Sequence, residues 1–435
     1  MNKKEIPDAA IEIVARHINE RNNRPSKIPI ITIEGETETP HYYEIIPFDQ
    51  IDKSKAKFFA IDGSYNSQEF YNGLSIGVYR AGYVCYYEGK QIRLNDLDDP
   101  IILGMAYDPE RILITSDEHR NAMFDELLEL KPVKNLLSFL TATEETAFGF
   151  GRDVICSSLS KLLSFCQEVL EWALVYEISN LAIIKKGDFI LRDGTLRSNN
   201  IKQEFLVKLG KYIKSRGIYL LAITKNSPIK LELSSTFKKI DSYLQEEYKP
   251  KYPFKTPNPK WQKLCCWLEV PDDVLINAYP EVGQRQLLKE GKIESISRTS
   301  MFAKKQLSGG RGFGNFFVAR LDYVEKLQNY DWVVADLNIF DVMPAINEQL
   351  NEIEIRKQKK DIETIKYVFY ELTRLTQEHY ILGYPYPLVE AHTFVTLKQN
   401  FKDEIINRVK FSLYKDQRMD NVDIENLFLD IHERF

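Results

Sequence analysis

Two hydrophobic periods run along this chain, and the switches between them mark out an α/β protein. Phe58-Phe59-Ala60-Ile61 is a short apolar run of strand type that stops at Asp62-Gly63-Ser64. Residues 74–79 and 83–87 follow as two more strands, and Arg80-Ala81-Gly82 between them reads as a tight connection, predicting an antiparallel hairpin. Arg111-Ile112-Leu113-Ile114-Thr115 predicts another strand. The period then lengthens. Leu162, Leu163, Phe165, Val169, Leu170, Ala173, Leu174, Leu181 and Ile184 predict a long helix capped by Ser157-Ser158 and closed at Lys185-Lys186-Gly187-Asp188. Phe189-Ile190-Leu191 makes a second apolar strand, ending in Asp193-Gly194-Thr195-Leu196. A helix rich in Leu, Val and Lys leads to the strand 218–224. Strands alternating with helices imply a mixed sheet flanked by helices.

Outside this middle section the pattern is looser. Residues 9–22 carry apolar positions at helical spacing and predict an amphipathic helix packed on the body or on a partner. Further strands are expected over 261–270, 316–323 and 332–337, and a helix over 363–380. That helix leads into the rigid turn Gly383-Tyr384-Pro385-Tyr386-Pro387-Leu388. Residues 226–260 are basic and punctuated by proline (Lys238-Lys239, Lys249-Pro250-Lys251, Lys255 to Lys260), the texture of an insertion or lid. The glycine-rich stretch 308–315 lacks the ending of a P-loop and receives no nucleotide role.

Composition narrows the class without choosing a function. With 435 residues, 44% hydrophobic and 28% charged, the chain is globular and can bury a large core. No apolar run is long enough to cross a bilayer, and the first residues lack the apolar segment of a secretory signal. Cys85, Cys156, Cys166, Cys265 and Cys266 are odd in number, scattered and without a CxxC, which argues against both a disulfide framework and a thiolate zinc site. The expectation is a cytoplasmic protein. A net charge of −5 does not favour nucleic acid, yet a local basic groove can bind it in an acidic protein.

The candidate chemistry lies at the ends of apolar runs. Asp62 and Asp193 each stand where a strand stops and a glycine follows, so neighbouring strands would bring both carboxylates to one hard divalent cation. An isolated aspartate at such a place is equally a turn former. Glu177 shares a helical face with Ala173, Leu174 and Leu181, where a carboxylate needs a metal or a basic partner. His392, one of six histidines, can ligate a metal or move a proton, and Lys225 at the end of a strand can hold a phosphate. Acids that hold metals, with a cation or histidine at the edge, are the ingredients of phosphodiester hydrolysis. Neither a GxSxG elbow nor an HExxH helix is present to support serine or zincin chemistry.

Taken together, Ile61-Asp62-Gly63-Ser64, Glu177, the segment Leu191 to Leu196, Ala222-Ile223-Thr224-Lys225-Asn226-Ser227 and Gly383-Tyr384-Pro385-Tyr386-Pro387-Leu388-Val389-Glu390-Ala391-His392 resemble the NurA nuclease family, DNA-end-processing partners of the HerA hexameric ATPase. The resemblance implies a ribonuclease H-like α/β core over residues 51–410, after a lead-in of 1–50 and before a tail of 411–435. It further implies a homodimer with a ring-like channel. The implied activity is Mn²⁺- or Mg²⁺-dependent cleavage of DNA, endonucleolytic on single strands and 5′-to-3′ at duplex ends. By position, Asp62, Glu177 and Asp193 match the metal-binding acids, Asp322 is a further metal-binding acid and His392 is the family histidine. Lys225, Tyr384 and Arg320 are expected on the substrate. Two other classes stay open at this point: a non-catalytic adaptor docking on a ring ATPase or on DNA, and a ribonuclease H relative acting on RNA.

Overall fold

The computed structural model describes residues 11–16, 31–33, 36–38, 43–44, 55–69, 75–92, 106–115, 120–198, 200–234, 237, 266–270, 315–321, 332–338, 342–347, 352–357, 362–377, 383–396 and 401–416. The chain divides into two compact units, one made of residues 53–222, 306–314 and 386–435, the other of residues 1–52, 223–305 and 315–385.

Among the described residues, the main strands of the first unit are β1 (Lys57–Glu69), β2 (Ser75–Tyr87), β3 (Ala106–Thr115), β4 (Phe189–Asp193) and β5 (Tyr219–Thr224), whose last residues begin the second unit. β1 pairs antiparallel with β2, and β2 antiparallel with β3. On its other side β1 pairs parallel with β4, which neighbours β5. The order β3-β2-β1-β4-β5, with the first strand central and a helical crossover before each strand added later, is the ribonuclease H-like arrangement expected from the sequence.

The helices are α1 (Arg120–Glu129), α2 (Lys131–Leu140), α3 (Leu159–Ser179) and α4 (Gln203–Ser215). α3 starts where the Ser158 hydroxyl accepts a hydrogen bond from the Lys161 amide at 3.4 Å. It is buried on nearly every side, with Leu162, Leu163, Phe165, Val169, Trp172 and Val175 packing with Phe59 and Ile61 in one core.

Two details of the sequence reading change here. Arg80-Ala81-Gly82 is no turn: β2 runs straight through it, and the hairpin is instead formed by β1 with β2, with Asp62 opposite Gly82 and Gly63 opposite Ala81. Small residues in this stretch read as a connection, but they lie within a continuous ladder with β1. The long helix also stops early, at Ser179, and Lys185 to Asp188 belong to the loop that enters β4.

In the second unit β6 (Cys266–Glu269), β7 (Asn315–Arg320) and β8 (Trp332–Leu337) form an antiparallel ladder. Helix α5 (Ile362–Gln377) covers it, with Phe369 stacked on Trp267 at 5.3 Å between ring centroids and Thr376 donating to the Leu321 carbonyl at 2.7 Å. The chain then returns to the first unit through α6 (Tyr386–Val395) and α7 (Phe401–Asp416). Of the N-terminal helix, residues 11–16 are described and helical, with Ile11, Ile13 and Val14 exposed. Residues 238–260 of the basic insertion and 308–314 of the glycine-rich stretch lie outside the described residues. Among the described residues no helix is long and apolar enough to cross a membrane.

Candidate metal centre

Strand alternation determines which side chains meet. Successive residues of a strand point to opposite faces of the sheet. Arg192 lies beside Ile61 in the parallel ladder of β1 and β4. Arg192 therefore shares a face with Ile61 and Gly63, while Asp193 shares the other with Asp62.

Helix α6 covers the Asp62 face. His392 Nδ1 stands 2.8 Å from Asp62 Oδ2, the Ser64 hydroxyl donates to the Val395 carbonyl, and the Tyr386 ring meets Tyr86 edge-on at 5.5 Å. Helix α3 covers the Gly63 face. A Cβ on Gly63 would lie 2.5 Å from Glu171 Oε1 and 2.6 Å from Gln167 Cγ, so the missing side chain is what lets the helix sit this close.

Asp62, Asp193 and His392 converge. Each offers a ligand atom, and these atoms all lie within 4.8 Å of one another. Asp62 is buried, Asp193 half-buried, and the His392 imidazole is 61% exposed at the rim. Asp62 Oδ1 also accepts from the Gly63 amide at 2.8 Å. After Asp193 the chain turns away through Gly194, whose φ of +104° only glycine adopts without strain.

Burial, followed by the nearby Asp193 carboxylate, raises the Asp62 pKa, while the contacts with His392 and the Gly63 amide pull it back. Two carboxylates pressed together where water is scarce are stabilised by a shared cation. Two carboxylate oxygens with one imidazole nitrogen fit a divalent ion, and Mn²⁺ tolerates that mixture better than Mg²⁺ does.

Behind the centre, on the α3 face, lies a buried ion pair that sequence reading missed. Arg192 Nη2 is 2.6 Å from Glu171 Oε2, and the Gln167 amide donates to Oε1 at 2.8 Å. Burial pushes the Glu171 carboxyl up to about 7, against the pull of Arg192. With a guanidinium on one oxygen and an amide on the other, the geometry is that of a carboxylate, and we read the pair as ionised. The available signal was two charges set inside otherwise apolar runs, Leu170-Glu171-Trp172 and Leu191-Arg192.

The other expected residues lie elsewhere. Glu177 is six residues beyond Glu171, about 9 Å further along the helix, and accepts from Asn135 Nδ2 at 2.7 Å. It is not in the convergent group, because α3 covers the face of the sheet opposite to the one Asp62 and Asp193 share. His392 does not follow a turn directly but sits within α6, which holds its ring against Asp62.

Lys225, Tyr384 and Arg320 belong to the second unit. The Lys225 ammonium lies 4.0 Å from the centroid of the Tyr384 ring, and the buried Tyr384 hydroxyl donates to the Ile223 carbonyl at 3.0 Å. Arg320, expected on the substrate, is wholly buried, its guanidinium 4.6 Å from the Trp332 ring centroid. The phenol of Tyr384 is likewise engaged inside the unit. Asp322 lies outside the described residues.

No family model matches the chain, and no curated protein is significantly similar to it. Among solved structures, it superposes on a crystal structure of NurA at 11% identity, covering 96% of this chain and 99% of the other, with a TM-score of 0.36. A crystal structure of NurA with manganese matches at 13% identity over 85% of this chain and 65% of the other, with a TM-score of 0.18. At such low TM-scores and identities these superpositions decide nothing about chemistry, which is read from this chain's own side chains.

Proposed function

We propose that this protein is a metal-dependent nuclease that hydrolyses DNA phosphodiester bonds at the Asp62–Asp193–His392 centre. The observation that carries this reading is the convergence of those three side chains, from β1, the end of β4 and α6, on one face of a ribonuclease H-like sheet. Asp62 and Asp193 are the oxygen donors that hold the ion. A divalent cation bound there would supply positive charge to a phosphoryl oxygen and a more acidic water at neutral pH. His392, open to solvent at the rim, completes the donor set or passes a proton to the leaving oxygen.

The motif resemblance refines the proposal. DNA is the polymer, cut endonucleolytically in single strands and trimmed 5′-to-3′ at duplex ends. The chain works as a homodimer with a HerA-type ATPase in DNA end processing.

The test is a cleavage assay with purified protein, labelled single- and double-stranded DNA, matched RNA, and Mn²⁺ or Mg²⁺. Metal-dependent DNA cleavage that disappears in Asp62→Asn, with the fold intact, is the expected result. Cleavage undiminished in Asp62→Asn sinks the assignment. Faster cleavage of RNA than of DNA corrects the polymer. Binding to a ring ATPase with no cleavage under any of these conditions selects a non-catalytic adaptor instead.

A further inference from the structure

We propose that the buried Glu171–Arg192 ion pair is a positioning device that sets the spacing of Asp62 and Asp193 for a shared cation. The inference rests on the metal-centre reading above and adds residues that touch neither ion nor substrate.

The geometry is specific. Glu171 is 3% exposed and Arg192 7%. Through Oε1 the Glu171 carboxylate abuts Gly63, the residue after Asp62. Through Oε2 it accepts from Arg192, the residue before Asp193, at 2.6 Å. The other guanidinium nitrogen, Nη1, donates to the Thr195 carbonyl, which ties down the turn that follows Asp193. Trp172 supplies a wall, its ring 5.0 Å from the guanidinium carbon, and Gln167 fixes the carboxylate from one turn earlier on α3. One helix thus packs against the residue after Asp62 and bonds the side chain of the residue before Asp193, from the face opposite the ion.

Stability alone is a poor reason for such a pair. Well-packed hydrophobic side chains of similar volume often serve a core as well or better. What apolar groups cannot reproduce is a directional bond from α3 to Arg192, made by the same carboxylate that packs against Gly63. Partners of this kind behind metal ligands typically change metal affinity about 10–100-fold when removed.

The experiment uses the full chain and Mn²⁺ alone, with affinity read by calorimetric titration and by the Mn²⁺ electron spin resonance signal, beside a metal-free thermal melt. Glu171→Gln is expected to bind Mn²⁺ about 10–100-fold more weakly than wild type while still unfolding cooperatively. Leu209→Ala, in the core on α4, controls for general loss of stability: it lowers the melting temperature and leaves Mn²⁺ affinity at the wild-type value. Where Glu171→Gln does not fold, Arg192→Lys, which keeps the charge and loses the fork, is read by the same criterion. Wild-type affinity in a folded pair variant, or an equal loss in Leu209→Ala, overturns the positioning role and leaves the metal centre standing. A wild-type chain that binds no Mn²⁺ removes the metal centre, and the positioning role with it.

Discussion

His392 Nδ1 lies 2.8 Å from Asp62 Oδ2, although 330 positions separate the two residues in the chain. One comes from α6 and the other from the central strand, so the contact brings a late helix to the sheet at the point where the carboxylates meet. Because the imidazole is largely exposed, its removal costs the fold little. His392→Ala is expected to lower Mn²⁺ affinity and DNA cleavage by about 10–100-fold with an unchanged melt. Titration calorimetry beside the cleavage assay checks this, and unaltered values in both would take the imidazole out of the centre.

Acidity separates the metal-free from the metal-loaded protein. The Asp62 pKa is raised above the ordinary 3.8, by burial first and by Asp193 second. The folded chain therefore keeps a proton at pH values where the unfolded chain has lost it. As far as Asp62 sets it, metal-free stability rises as pH falls through the interval between the raised and ordinary values, and levels off below the ordinary one. Metal affinity runs the other way, since proton and ion compete for the same oxygens. Thermal melts with chelator and with Mn²⁺ across this range should show the Mn²⁺-induced gain shrinking toward acid. In Asp62→Asn the gain should be small at every pH.

Gly63→Ala tests how closely α3 is pressed onto β1. A Cβ there would meet Glu171 Oε1 at 2.5 Å and Gln167 Cγ at 2.6 Å, and the Arg80 carbonyl at 3.1 Å. Overpacking of this kind costs about 1–3 kcal/mol. Denaturant titration measures it, and wild-type stability would show that the helix can retreat freely.

Tyr384→Phe separates structure from substrate binding. The hydroxyl is buried and donates to the Ile223 carbonyl, so its loss leaves an acceptor without that donor, at about 1–3 kcal/mol. The affinity for single-stranded DNA should not change. A drop in DNA affinity without a drop in stability would return Tyr384 to the substrate.

Where the sequence was legible, burial was uniform. Phe58 to Ile61, Phe189 to Leu191, Leu220 to Ile223 and Trp332 to Leu337 are nearly continuous apolar runs because both faces of those strands are covered, and each is a strand in the structure. Asp62 and Asp193 are legible for the related reason that a charge ends such a run, although only Asp193 ends its strand: β1 continues past Asp62 to Glu69, against the expectation that it stops there. The failures came from local signals with two causes. Arg80-Ala81-Gly82 carries the small residues of a turn, but all three pair with β1 in a continuous ladder. Helical spacing puts Glu177 on a buried face of α3, yet a helix covered on nearly all sides has no single buried face. Glu171 is the more deeply buried acid, and its pairing with Arg192 on β4 is a tertiary contact. The contact of His392 with Asp62 has no local signature, because it depends on how the chain returns after residue 385.

That return has a consequence for synthesis. The unit bearing the centre is interrupted after residue 222 and resumes in its last segment at Tyr386, so the ribosome makes both aspartates long before the imidazole. Domains begin to fold as they emerge, but a nascent chain halted before α6 would carry a donor set one member short. Completion of this centre waits on the synthesis of a helix about 200 residues beyond Asp193.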